Sequence, residues 1–134
     1  MKILLAGDWH SELHEEVVFR ALRKLNHEVE RFSWFQYFRP RSENKFLTLG
    51  ETVIKKAQNK YLFGPLIDRL NADLIHEVRR HDPELLFVYR GTHIRAETLK
   101  AIKKGNPGLL LAGYNNDDPF NPVYPFYVWH LFLK

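Results

Sequence analysis

Met1-Lys2-Ile3-Leu4-Leu5-Ala6-Gly7-Asp8-Trp9-His10 opens the chain, and its reading decides the fold. The run from Lys2 to Ala6 is short, continuous and apolar after its first residue, and it stops at a glycine. A strand with one wet face would alternate; an unbroken run marks a central strand covered on both faces. Gly7 to His10 then leaves the strand as a polar loop. Ser11 is placed to cap a following helix, with Glu12, Glu15 and Glu16 near its positive end. Leu13, Val17, Ala21, Leu22 and Leu25 recur at helical spacing and predict its buried face, with Asn26 as its stop. His27 to Phe32 predicts a second strand with Val29 and Phe32 inward. Strand, helix and strand within about thirty residues make one βαβ unit.

The same alternation continues. Ser33 to Phe38 is aromatic, through Trp34, Phe35, Tyr37 and Phe38, and Arg39-Pro40-Arg41-Ser42 reads as a loop. Glu51 to Lys60 predicts a helix, interrupted by Gly64-Pro65, where Pro65 opens another. Leu66, Ile67, Leu70, Leu74, Ile75 and Val78 give that second helix an apolar stripe, and Asp82-Pro83 ends it. Leu85 to Tyr89 is a third apolar strand, Arg95 to Lys104 a short helix closed by Gly105, and Leu109 to Ala112 a fourth strand. The expected fold is therefore α/β, a Rossmann-like three-layer domain with a mostly parallel sheet spanning residues 1–134.

Composition narrows the chemistry. The 134 residues suit one domain, and 45% hydrophobic content is enough for a core. There is no cysteine, which removes disulfides, thiolate zinc sites and a thiol nucleophile. The N-terminal apolar run is too short for a signal peptide or a membrane span. A cytoplasmic protein without a transmembrane segment is expected. The net charge of +4 is local: Arg39, Arg41, Lys45, Lys55, Lys56 and Lys60 face only Glu43 and Glu51, whereas the first thirty residues lean acidic. Such a patch suits an anionic ligand, the inner membrane surface or nucleic acid, or is simply a solvated helix face. No nucleic-acid-binding motif accompanies it, so no nucleic acid is expected.

In parallel α/β sheets, ligands bind beyond the carboxyl ends of the strands. That geometry selects three loops, Gly7 to His10, Arg90 to His93 and Asn115 to Asp118. Gly7-Asp8-Trp9-His10 with the His14-Glu15-Glu16 helix, then Tyr89-Arg90-Gly91-Thr92-His93, then Tyr114-Asn115-Asn116-Asp117-Asp118-Pro119-Phe120, resemble the N-terminal half of glycosyltransferases of the spore-maturation-protein-B-like group. The resemblance spans nearly the whole chain, and the Asn-Asn-Asp-Asp-Pro-Phe run is its most specific part. It implies a GT-B N-terminal-type domain that holds the sugar acceptor. The nucleotide-sugar, the donor substrate, would sit on a C-terminal domain absent from this chain, so the chain alone is expected to be inactive.

The loop residues fit such chemistry. Asp8, His10 and His93 are the candidate catalytic groups, able to accept the acceptor's hydroxyl proton or to hold hydroxyls. For Asp8 the plain alternative is a turn or helix cap. Gly7, Trp9, Arg90, Gly91 and Thr92 are candidate substrate contacts: Trp9 for stacking on a sugar or for core packing, Arg90 for a phosphate or for an acid such as Asp117 or Asp118. Asn115, Asn116, Asp117 and Asp118 offer the acceptors that polyol recognition needs, or an Asx turn before Pro119. His10 and His14 have the spacing of a zinc pair but lack the accompanying glutamate, so no metal is expected. The glycine patterns of dinucleotide and nucleoside-triphosphate loops are missing, so no cofactor is expected beyond the nucleotide-sugar. The aromatic segment from Phe120 to Phe132 is a candidate docking surface for a further domain or a homodimer contact. A non-catalytic sugar- or nucleotide-binding module, and a basic nucleic-acid-binding or regulatory domain, are the alternative readings.

Overall fold

A computed structural model of the chain describes residues 1–10, 13–39 and 45–115, with the side chains of 45–48 excepted. The elements run β1 (Lys2–Gly7), α1 (Glu15–Lys24), β2 (Glu28–Ser33), α2 (Phe35–Phe38), α3 (Lys45–Tyr61), α4 (Pro65–His81), β3 (Leu85–Tyr89), a 3-10 turn (Gly91–His93), α5 (Ala96–Gly105) and β4 (Leu110–Tyr114). The four strands form one all-parallel sheet in the order β2-β1-β3-β4. This is the expected Rossmann-like α/β architecture, with helices on both faces of the sheet.

β1 is central and buried from Ile3 onward because each of its faces has its own core. Leu4 and Ala6 join Leu86 and Val88 of β3 beneath Leu70, Leu74 and Val78 of α4 and Ile102 of α5. Ile3 and Leu5 join Val29 on the opposite face, where Val18, Phe19 and Leu22 of α1 cover them. Val29 and Phe32 are both buried, as expected, but on opposite faces. Trp34 is fully buried, and Tyr37 and Phe38 pack beside it, so most of the aromatic stretch belongs to the core.

Three expectations need correction. Helix α1 begins at Glu15 with His14 at its N-cap, later than expected, and Ser11 lies outside the described residues. Its inward face is Glu15, Val18, Phe19 and Leu22, whereas Leu13, Val17, Ala21 and Leu25 are exposed. The cause is Glu15. Its side chain lies on Gly7, where an added Cβ would sit 2.5 Å from Glu15 Cγ, and its Oε1 accepts the Asp8 N–H at 2.9 Å. That anchor rotates the helix away from the face its leucines suggest. Helix α3 is longer than expected, and β4 continues through Tyr114. As the edge strand, β4 leaves Leu110, Leu111 and Tyr114 exposed. Among the described residues, no helix is long and apolar enough to cross a membrane. The segment from Phe120 to Phe132 lies outside the described residues.

Candidate functional site

Strands β1 and β3 are neighbours, yet their following helices go to opposite faces, α1 to one and α5 to the other. In parallel α/β sheets, ligands bind at such a switch in strand order, between the loops that leave the two strands. Among the described residues, five non-glycine residues have positive φ. Asn26, Leu62 and Asp82 end helices, where the left-handed conformation is ordinary. The other two, Trp9 (57°) and Arg90 (56°), leave β1 and β3, one in each of the two loops, or lips, that flank the switch point. Left-handed backbone at non-glycine residues is uncommon and clusters where a loop must aim a side chain.

On the first lip, Asp8 is locked by its backbone: its N–H donates to Glu15 and its carbonyl accepts from Ser33 Oγ at 3.1 Å. Its half-buried carboxyl has a raised pKa, first because burial penalises the charge; Glu15 adds to the rise, and His10 and Arg90 oppose it. A carboxylate made more basic by burial is suited to accept a proton from a bound hydroxyl. Trp9 does not reach the mouth. Its turn sends the indole to the α1 face, where Nε1–H donates to the Phe32 carbonyl at 3.0 Å. There Phe19 meets the ring edge-on and the Arg31 guanidinium lies over it at 4.7 Å. There it packs against the Ile3, Leu5 and Val29 cluster. His10 is exposed, with its ring 4.8 Å from that of Phe35. His14 instead lies parallel to Tyr89 at 6.1 Å, and Tyr89 in turn meets Tyr114 at 5.2 Å. Among the described residues no His, Asp or Glu side chains converge as a metal would need.

On the second lip, the Arg90 N–H donates to the Tyr114 carbonyl at 2.8 Å, which ties this loop to the end of β4. Gly91 has a packing reason to lack a side chain: an added Cβ would lie 2.9 Å from Val88 Cγ1. Thr92 Oγ1 lies 3.2 Å from His93 Nδ1, and His93 Nε2 lies 2.6 Å from Asn59 Oδ1 of α3. The imidazole is sandwiched near Trp34 at 5.5 Å and Phe38 at 5.6 Å. Burial, and then the Arg90 charge, lower its pKa to about 4. His93 is therefore neutral at pH 7, with both nitrogens facing protein partners. Asn115 lies at the end of β4, on the rim of a cleft of about 480 Å³ that Gly91, Ile94, Leu99 and Tyr114 also line. Asn116, Asp117 and Asp118 lie outside the described residues.

Three contributors escape a reading by motif. Glu15 looks like a helix-start acid but is 2% exposed. Asn59 is an ordinary helix residue until His93 meets it. Asn71 of α4 is buried within the apolar stripe: its Nδ2 donates to the carbonyls of Ile67 (2.8 Å) and His93 (3.0 Å). Its Oδ1 accepts from the Arg95 N–H (2.9 Å) and Thr98 Oγ1 (2.8 Å). A lone asparagine at a core position was the available signal, because a buried amide must find partners. It fastens the Arg90–His93 loop to α4 and to the start of α5. Compared with models of protein families, with curated proteins and with solved structures, the chain matches none.

Proposed function

We propose that this chain is the acceptor-side domain of a GT-B-like glycosyltransferase, with the sugar acceptor held in the crevice between Gly7–His10 and Arg90–His93. The observation that carries the reading is the Asp8 carboxyl: half-buried at the end of the central strand, raised in pKa, and set among His10, Glu15 and Arg90. In the proposed reaction an acceptor hydroxyl donates its proton to Asp8 while its oxygen bonds to the anomeric carbon of a nucleotide-sugar. The bond from that carbon to the phosphate oxygen breaks, and the nucleoside diphosphate leaves with the electron pair. Arg90 offers a cation to the charge that develops. Asn115 and the neighbouring Asn116, Asp117 and Asp118 would supply hydroxyl partners. The donor itself would be held by a C-terminal domain, as the sequence resemblance implies.

His93 acts in this reading as a positioning residue. With both nitrogens engaged, it props the Arg90–Thr92 turn from beneath. The same commitment favours the alternative reading, a non-catalytic sugar-binding module using the same crevice. The two separate in a transfer assay with the chain joined to its donor domain. For the enzyme, Asp8→Asn lowers kcat by roughly 10²- to 10⁴-fold with little change in acceptor KM. Acceptor binding without transfer, unaltered by Asp8→Asn, would favour the binding module.

A further inference from the structure

Helix α3 is turned inside out. Its body-facing side is polar: buried Lys55 donates from Nζ to the Arg39 carbonyl at 2.6 Å and pairs with Glu51, and buried Gln58 accepts the Leu66 N–H at 2.8 Å. Asn59 meets His93 from the same helix. Three apolar residues among its described side chains, Leu49, Val53 and Ile54, are exposed. Leu49 is 70% exposed, Val53 60% and Ile54 61%, and Tyr61 at the last position of the helix and Phe63 beyond it are exposed too. Single exposed apolar residues are unremarkable, but Leu49, Val53 and Ile54 on one helix, with Phe63 just beyond its end, form an apolar patch of the kind that marks an interaction site.

The border of that patch is basic. Lys56 and Lys60 are exposed, and Lys60 Nζ lies 5.4 Å from the Tyr61 ring. Glu51, the one acidic residue between 45 and 63, is paired with Lys55. A fitting partner must take up apolar side chains along a line and present negative charge beside them. A second copy of the patch would bring lysine against lysine. A nucleic acid would supply the charge but no apolar phase. The headgroup boundary of an anionic bilayer supplies both, with leucine-type and aromatic residues inserted and lysines reaching the headgroups.

We propose that the exposed face of α3, with Leu49, Val53, Ile54, Tyr61 and Phe63 framed by Lys56 and Lys60, docks on an anionic lipid surface. The inference stands apart from the crevice, since it uses none of the residues proposed to bind the acceptor. The test is co-sedimentation of the full chain with phosphatidylcholine vesicles, with and without phosphatidylglycerol, alongside sedimentation velocity without lipid. The chain is expected to pellet with the anionic vesicles only. Val53→Asp/Ile54→Asp abolishes this, and Lys56→Gln/Lys60→Gln weakens it by roughly thirty-fold. All these side chains are exposed, so both variants keep the wild-type circular dichroism and melting curve. Failure to pellet with anionic vesicles, or equal pelleting with neutral ones, would overturn the proposal. So would a lipid-free dimer that Val53→Asp/Ile54→Asp dissolves.

Discussion

Helices α3 and α4 follow one another, have 17 residues each and are both amphipathic, yet they present opposite faces to the body. α4 buries Ile67, Leu70, Leu74 and Val78 against the sheet. α3 turns Lys55 and Gln58 inward and leaves Leu49, Val53 and Ile54 outside. The difference teaches that periodicity locates an apolar face without saying where it points. The direction is set by whichever polar groups find partners. In α3 buried Lys55 has the Arg39 carbonyl and Glu51, buried Gln58 has the Leu66 N–H, and exposed Asn59 meets His93. In α4 the inward Asn71 has four partners, so it is carried within the apolar stripe at no unsatisfied cost.

The largest test of this contrast is truncation on each helix. Leu74→Ala should cost about 3–4 kcal/mol in denaturant unfolding, since a fully buried leucine leaves a cavity. Val53→Ala in α3 should change stability by no more than about 0.5 kcal/mol. A loss in α3 comparable to that in α4 would break the comparison.

The pH dependence sharpens it, because His93 lies between the two helices. Its folded pKa of about 4 is below its ordinary 6.5, so the unfolded chain binds the proton more readily. The contribution is full above pH 6.5 and is lost as pH falls toward 4, by about 3 kcal/mol over that window. Asp8 has the opposite sign: its raised pKa favours the fold at low pH, an advantage lost as pH rises through the raised value. His93→Gln should therefore flatten the stability curve between pH 6.5 and 4, whereas Asp8→Asn should steepen it.

The smallest of the three effects is expected at Asn71. Asn71→Ala orphans the His93 carbonyl, the Arg95 N–H and the Thr98 hydroxyl, and should cost roughly 2–3 kcal/mol. Hydrogen exchange should then rise at Arg90 to Arg95 more than in β1. Uniform protection across both regions would contradict the fastening role.

Much of this arrangement is legible in the residues. The apolar runs at Ile3–Ala6 and Leu85–Tyr89 announce strands buried on both faces, and their order with the helices points to the crevice. The α4 stripe is legible too, because its leucines are also its core contacts. What escapes is set by pairings between distant residues. The rotation of α1 depends on Glu15 lying on Gly7, so Leu13, Val17 and Leu25 mislead. The inversion of α3 depends on partners outside the helix. His93 carries the general residue type for proton transfer, but its burial against Trp34 and Phe38 makes it neutral and fixed. Asp8 stands half-exposed at the strand end, where its place in the sequence puts it.

The most direct test of the central claim, that the switch-point crevice binds a sugar acceptor, is amide NMR of the chain titrated with a panel of oligosaccharides. A binding saccharide should shift Asp8, His10, Arg90 and Asn115 together, with an affinity that Asp8→Asn leaves little changed. Shifts confined to α3 or α5, or no shift with any saccharide, would contradict it.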